Sequence, residues 1–183
     1  QSVDANISNI EKLMDQAVNE RAWPGGVLLA AKDGNIFYQR GHGYHTYDKK
    51  NPTRSSDIFD LASITKVVST TSAIMKLQDL NKIDINKPVV KYLPEFKGTT
   101  KKHISQKSSI TIKDLLAHVS GLPPFKKYYE TEKTKTLLLK SIYDTDPIHD
   151  NRDTTIYSDV GAIILGQIVE KVSVSSAKPF ASL

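Results

Sequence analysis

A chain of 183 residues, 39% hydrophobic and 25% charged, has ordinary globular composition and is long enough for one domain or a small pair with a substantial core. The absence of cysteine excludes a disulfide framework, a cysteine-type zinc site and a thiol nucleophile, and no apolar run nears the ~20 residues of a membrane-spanning helix. The formal charge of +5 comes from scattered lysine pairs (Lys49-Lys50, Lys101-Lys102, Lys126-Lys127), which read as solvated surface and argue against nucleic-acid binding.

Gln1-Ser2-Val3-Asp4 lacks the basic-then-apolar pattern of a secretory leader, so no signal peptide is expected in this chain. Ile7, Ile10, Leu13, Met14, Ala17 and Val18 recur at three- and four-residue spacing and predict an amphipathic helix, broken by Trp23-Pro24-Gly25-Gly26. Two strands follow, Val27 to Ala31 and Ile36 to Arg40, with Asp33-Gly34 in the connecting turn as a hairpin signal. From Ser63 the period becomes helical, with Ile64, Val67, Val68, Thr71, Ile74 and Met75 on one face. Asn81 to Leu93 reads as a turn and a short segment ended by Pro94, and 97–109 as a polar loop. Thr111-Ile112-Lys113-Asp114 is a capping box opening a short helix at Leu115-Leu116. Within 125–156 a helix is expected near Lys133 to Tyr143. A last helix runs from Asp159 to Val172, with Val160, Ile163, Ile164, Ile168 and Val172 facing inward.

A serine hydroxyl needs a base within hydrogen-bond reach to act as a nucleophile at neutral pH. Ser63 and Lys66, three residues apart on a helix, meet that condition, and the helix start favours developing negative charge. A lysine acting as base needs its pKa lowered by burial or nearby positive charge. Taken alone, the pair is equally a helix-capping serine followed by a surface lysine. His42-Gly43-Tyr44-His45 places two histidines three apart, but no carboxylate completes a zinc signature, and no metal site is expected.

Four motifs occur in order: Ser63-Ile64-Thr65-Lys66 after Phe59-Asp60-Leu61-Ala62; Asn86-Lys87-Pro88 through Tyr92-Leu93-Pro94; Leu115-Leu116-Ala117-His118-Val119-Ser120-Gly121-Leu122; and Tyr157-Ser158-Asp159. Together they resemble the penicillin-binding protein and class C β-lactamase superfamily of serine hydrolases. The resemblance implies Ser63 as the acylated nucleophile, Lys66 as proton acceptor or polarising cation, and Tyr157 as general base or acid. It implies a mainly architectural His118, with Asp159 and Ser158 at the substrate. Asp159 stands where the family usually has asparagine. An ionised carboxylate cannot donate a hydrogen bond but would pair with Lys66 and hold it charged, or it could cap the last helix. The family's third motif ends in glycine on a later strand, and no glycine follows Gly166.

The expected fold is therefore α+β, β-lactamase/transpeptidase-like, a helical domain beside an antiparallel sheet left incomplete in this chain. The expected divisions are 1–52 (helix and hairpin), 53–158 (helical part with the nucleophile) and 159–183 (return helix and truncated tail). The expected function is acyl transfer through Ser63, as a D-Ala-D-Ala peptidase, β-lactamase or carboxylesterase, with no cofactor. The alternative is a catalytically incomplete scaffold that only binds. A small-molecule or peptidoglycan-like substrate, self-association through an unpaired sheet edge, and a periplasmic, secreted or envelope location complete the expectations.

Overall fold

The computed structural model describes residues 3–174. In chain order it comprises helix α1 (Val3–Asn19), strands β1 (Gly25–Lys32) and β2 (Asn35–Gly43), a π-helical segment (Lys66–Thr71) and α2 (Ser72–Asp79). These are followed by α3 (Val89–Tyr92), α4 (Lys101–Ser109), α5 (Ile112–Leu116), α6 (Tyr128–Thr131), α7 (Lys135–Asp144) and α8 (Asp159–Val174). The chain divides into two compact units, Gln1–Asp60 and Leu61–Leu183. The expected tail beyond 174 lies outside the described residues.

In the first unit β1 and β2 pair antiparallel, and Asp33 and Gly34 take φ of 52° and 79° in the two-residue turn between them. Two consecutive positive φ values are what a turn matching the strand twist demands, and glycine meets them without Cβ strain. Polar contacts hold α1 to the hairpin: Arg40 Nη1 donates to Glu11 at 2.6 Å, and His42 lies between Asp15 at 3.0 Å and the Tyr38 hydroxyl at 2.9 Å. Of the predicted α1 face, Leu13 remains 65% exposed, and among the described residues of this unit the buried side chains are His42 and Thr53. The two histidines of His42-Gly43-Tyr44-His45 go separate ways, His45 pairing with Asp57 at 2.7 Å.

The second unit holds the hydrophobic core. Ile74 and Leu77 of α2, Val89 of α3, Ile112 and Leu115 of α5, Ile142 of α7 and Val160, Ile164, Leu165 and Ile168 of α8 are all buried there. Each such side chain removed from water contributes roughly 1.5–3 kcal/mol. The α8 stripe follows the expected spacing except at Ile163, which is exposed, while Leu165 is buried in its place. The capping box of α5 is present in both directions between Thr111 and Asp114.

Two expectations are corrected. The stretch 97–109 contains α4, whose start is capped by Thr100 accepting from the His103 N–H, and which is anchored by Lys107 rather than by an apolar stripe. The Lys107 side chain is fully buried and donates to the carbonyls of Lys97 and Tyr143 at 2.7 and 2.6 Å. The second correction concerns the face expected from Ile64 to Met75, because Ile64, Val67, Val68 and Met75 are more than half exposed while Ile74 and Leu77 are buried. A run of β-branched residues lies between them, and the Thr71 and Ser72 hydroxyls donate to the carbonyls of Lys66 and Val67, five residues back. The widened π turn that results breaks the 3.6-residue phase, so the early apolar residues do not continue the later stripe.

Candidate active site

Ser63 sits at the exposed entrance to the π segment, directly after Ala62, whose φ of 44° places it in the left-handed region. That conformation costs an alanine about 1–2 kcal/mol and turns the chain sharply into the helix. One turn on, Lys66 Nζ donates to Ser63 Oγ at 3.0 Å. The same nitrogen lies 2.8 Å from Asp159 Oδ1, in an ion pair rather than a well-aligned hydrogen bond, and Oδ1 has no other hydrogen-bond partner. It also stands 5.0 Å from the centroid of the Tyr157 ring. The fold thus brings Ser63, Lys66, Tyr157 and Asp159 to one point.

The charges follow from this arrangement. Contact with Asp159, then with Tyr157, raises the Lys66 pKa above its ordinary value. Lys66 is therefore a firmly held cation, not the neutral amine a lysine base requires. The same contact works on the phenol: hydrogen bonding to Lys66, then to Ser63, lowers the Tyr157 pKa. A cation that stabilises phenolate makes Tyr157 the better proton acceptor of the two.

His118 supports Tyr157 from behind. Their ring centroids are 4.7 Å apart, and His118 Nδ1 accepts from the Ser158 N–H at 3.1 Å. Accepting through Nδ1 assigns the ring proton to Nε2. Burial, then repulsion from Lys66, lowers the His118 pKa and keeps the ring neutral. His118 is half-buried rather than enclosed, and its own φ is 57°.

Ser158, expected at the substrate, is placed elsewhere. It is buried, its Oγ donates to the Pro123 carbonyl at 2.7 Å and accepts from the Gly161 N–H at 3.1 Å. It is the N-cap of α8, and Asp159, which the sequence equally allows in that role, is not. Capping through Ser158 leaves the Asp159 carboxylate directed at Lys66.

Behind these residues, a partner that no local pattern indicates holds the geometry without touching Ser63. Arg152 grips the buried Asp114 carboxylate with two donors at 2.9 and 2.6 Å, and its N–H donates to the Val119 carbonyl at 2.7 Å. Burial alone would raise the Asp114 pKa, but bonds from Arg152 and Thr111 hold it below the ordinary carboxylate value. Gly121, at φ 74°, lies where a Cβ would collide with the His149 carbonyl, and its own carbonyl accepts from the Ile148 N–H at 2.8 Å. These bonds strap the segment before Tyr157 to the one after His118. The only local signal was Gly121, and the Arg152 partner is 38 residues away.

The family model described as Beta-lactamase matches residues 10–183. The chain belongs to the β-lactamase family. It is 37% identical over 171 residues to the N-acetylmuramyl-L-alanine amidase of Bacillus subtilis (strain 168), covering 82% of this chain and 37% of that protein. It is 34% identical over 168 residues to a putative D-alanyl-D-alanine carboxypeptidase of Salmonella gallinarum (strain 287/91 / NCTC 13346), covering 84% of this chain and 39% of the relative. The chain therefore spans less than half the length of these curated relatives. A class C β-lactamase crystal structure superposes with a TM-score of 0.71 at 22% identity, over 91% of this chain and 45% of that one. The fold of this family member is α+β and β-lactamase/transpeptidase-like, as the motifs imply.

Proposed function

We propose that this β-lactamase-family chain is the nucleophile-bearing part of a serine hydrolase that works through an acyl-enzyme on Ser63. The observation that carries the reading is the single nitrogen, Lys66 Nζ, lying 3.0 Å from Ser63 Oγ and 2.8 Å from the Asp159 carboxylate, with the Tyr157 ring beside it. Tyr157, its phenolate stabilised by Lys66, takes the Ser63 proton as Oγ bonds to the substrate carbonyl carbon. The bond to the leaving group breaks as Tyr157 returns that proton to it. Water then loses a proton to Tyr157 and attacks the acyl carbon, and Ser63 Oγ departs with that proton as the acid is released. Lys66 stays charged throughout and Asp159 keeps it so.

The substrate class proposed is an amide or ester of peptidoglycan type, supported by the relatives named as an amidase and a carboxypeptidase. An envelope or periplasmic site of action goes with that substrate. No helix among the described residues is long and apolar enough to cross a membrane. Asp159 in place of an amide donor disfavours β-lactam turnover, because an ionised carboxylate cannot donate to a bound acyl amide.

The test is intact mass spectrometry after incubation with a fluorophosphonate and, separately, with a penicillin, using Ser63→Ala as control. An adduct present in the wild type and lost in Ser63→Ala is expected with the fluorophosphonate. A folded sample that forms no adduct with either reagent would show a scaffold without a working nucleophile.

A further inference from the structure

We propose that a groove running away from the Lys66–Asp159 pair along α8 receives the acyl portion of the substrate, and that Lys126 pairs there with a carboxylate carried by that acyl chain. This rests on the hydrolase reading above and extends it to substrate class. The groove has a volume of about 500 Å³, within the range of sites that hold small ligands. Its floor is one face of α8: Asp159, Ile163, Gly166 and Gln167 all line it at helical spacing. Phe125, Lys126 and Tyr128 line it as well.

That second wall is held at both ends. The Pro124 carbonyl accepts from the Asp159 N–H at 2.8 Å, which sets Phe125 and Lys126 next to the reacting end of the groove. Tyr128 is tied down through its hydroxyl, 2.6 Å from Thr145 Oγ1. A wall fixed in this way presents its side chains without a large ordering cost on binding.

The charge pattern selects the ligand. Lys66 and Asp159 neutralise each other, so Lys126 supplies the net charge of the groove. The nearby acids are engaged elsewhere, Glu130 with Lys127, Asp144 with Lys140 and Glu132 with Ser141. Among the described residues no carboxylate forms an ion pair with Lys126, and a lysine so placed beside an apolar and aromatic surface matches a ligand with an apolar stem and an anionic end. Gly166 supplies the room: a Cβ built there meets nothing within 4 Å, so a glycine in mid-helix leaves the groove open rather than relieving a clash.

The test separates anion recognition from catalysis by using the Ser63→Ala chain, in which no acylation occurs. N-glutaryl-glycinamide and its neutral counterpart N-glutaramyl-glycinamide are titrated by amide-resolved NMR. The glutaryl compound should bind about fivefold more tightly, with shifts at Gly166 and Gln167. Lys126→Gln in the same background should bring that preference to about unity. Gly166→Leu, which fills the groove and improves local helix propensity, should weaken both ligands. Equal affinity for the two compounds, or a preference that survives Lys126→Gln, would overturn the proposal. A carboxylate preference in a chain whose wild-type Ser63 takes no fluorophosphonate would instead sink the hydrolase reading while leaving anion recognition by Lys126 in place.

Discussion

Raising the pH should stabilise this fold across the interval in which Lys107 loses its proton. Its side chain is fully buried, and burial lowers its pKa from 10.5 to about 8, with Asp146 and Asp144 acting against that shift. Between those two values the unfolded chain holds a proton that the folded chain has released, so stability rises with pH through that window. At about 1.4 kcal/mol per pH unit the interval corresponds to about 3 kcal/mol, present in full above pH 10.5 and absent below pH 8. Lys107→Met removes the titrating group but leaves the Lys97 and Tyr143 carbonyls without their donor, a cost of about 1–3 kcal/mol each. The diagnostic is therefore the slope, not the stability at one pH. Urea unfolding of both proteins at intervals from pH 7 to 10.5 should give a wild-type-minus-variant difference that grows with pH. Parallel curves would refute the assignment of Lys107 as a buried ammonium under desolvation strain.

Three further outcomes are expected. Tyr157→Phe should slow acylation of Ser63 by about 10²–10⁴-fold, the usual contribution of a positioned general base, with little change in Tm because Tyr157 is half exposed; an unchanged rate would return the proton to another acceptor. Asp159→Asn removes the largest influence raising the Lys66 pKa, so the basic limb of the pH–rate profile should move to lower pH; a shift to higher pH would contradict the ion pair. Ser158→Ala should cost about 1 kcal/mol as a lost N-cap, plus the donor to the buried Pro123 carbonyl. Binding of the neutral amide ligand should persist in the folded Ser158→Ala protein, and its abolition would return Ser158 to the substrate.

What the amino-acid order determined alone were the features decided within a few residues. The α1 spacing, the Asp33-Gly34 turn, the Thr111–Asp114 capping box and the Ser63/Lys66 pair each depend on neighbours one helical turn or one tight turn away. Local patterns carry such information because the backbone period brings those side chains together before any long-range contact exists. Family motifs extended this to Tyr157 and Asp159, since motif order stands in for unseen geometry.

Only the tertiary structure decided the rest. Helix α4 was hidden because it carries no apolar stripe; its anchor is the charged Lys107, whose burial depends on carbonyls from two other segments. The phase break at Lys66–Thr71 arises from hydroxyls bonding five residues back, which a fixed 3.6 period cannot register. Ser158 reads as a substrate contact only through its place in the Tyr157-Ser158-Asp159 motif, and the Pro123 carbonyl and the Gly161 N–H show instead that it, and not Asp159, caps α8. The same geometry made Lys66 a held cation rather than a base. A pKa depends on charges a few ångströms away, and Asp159 reaches Lys66 from 93 positions along the chain through folding alone.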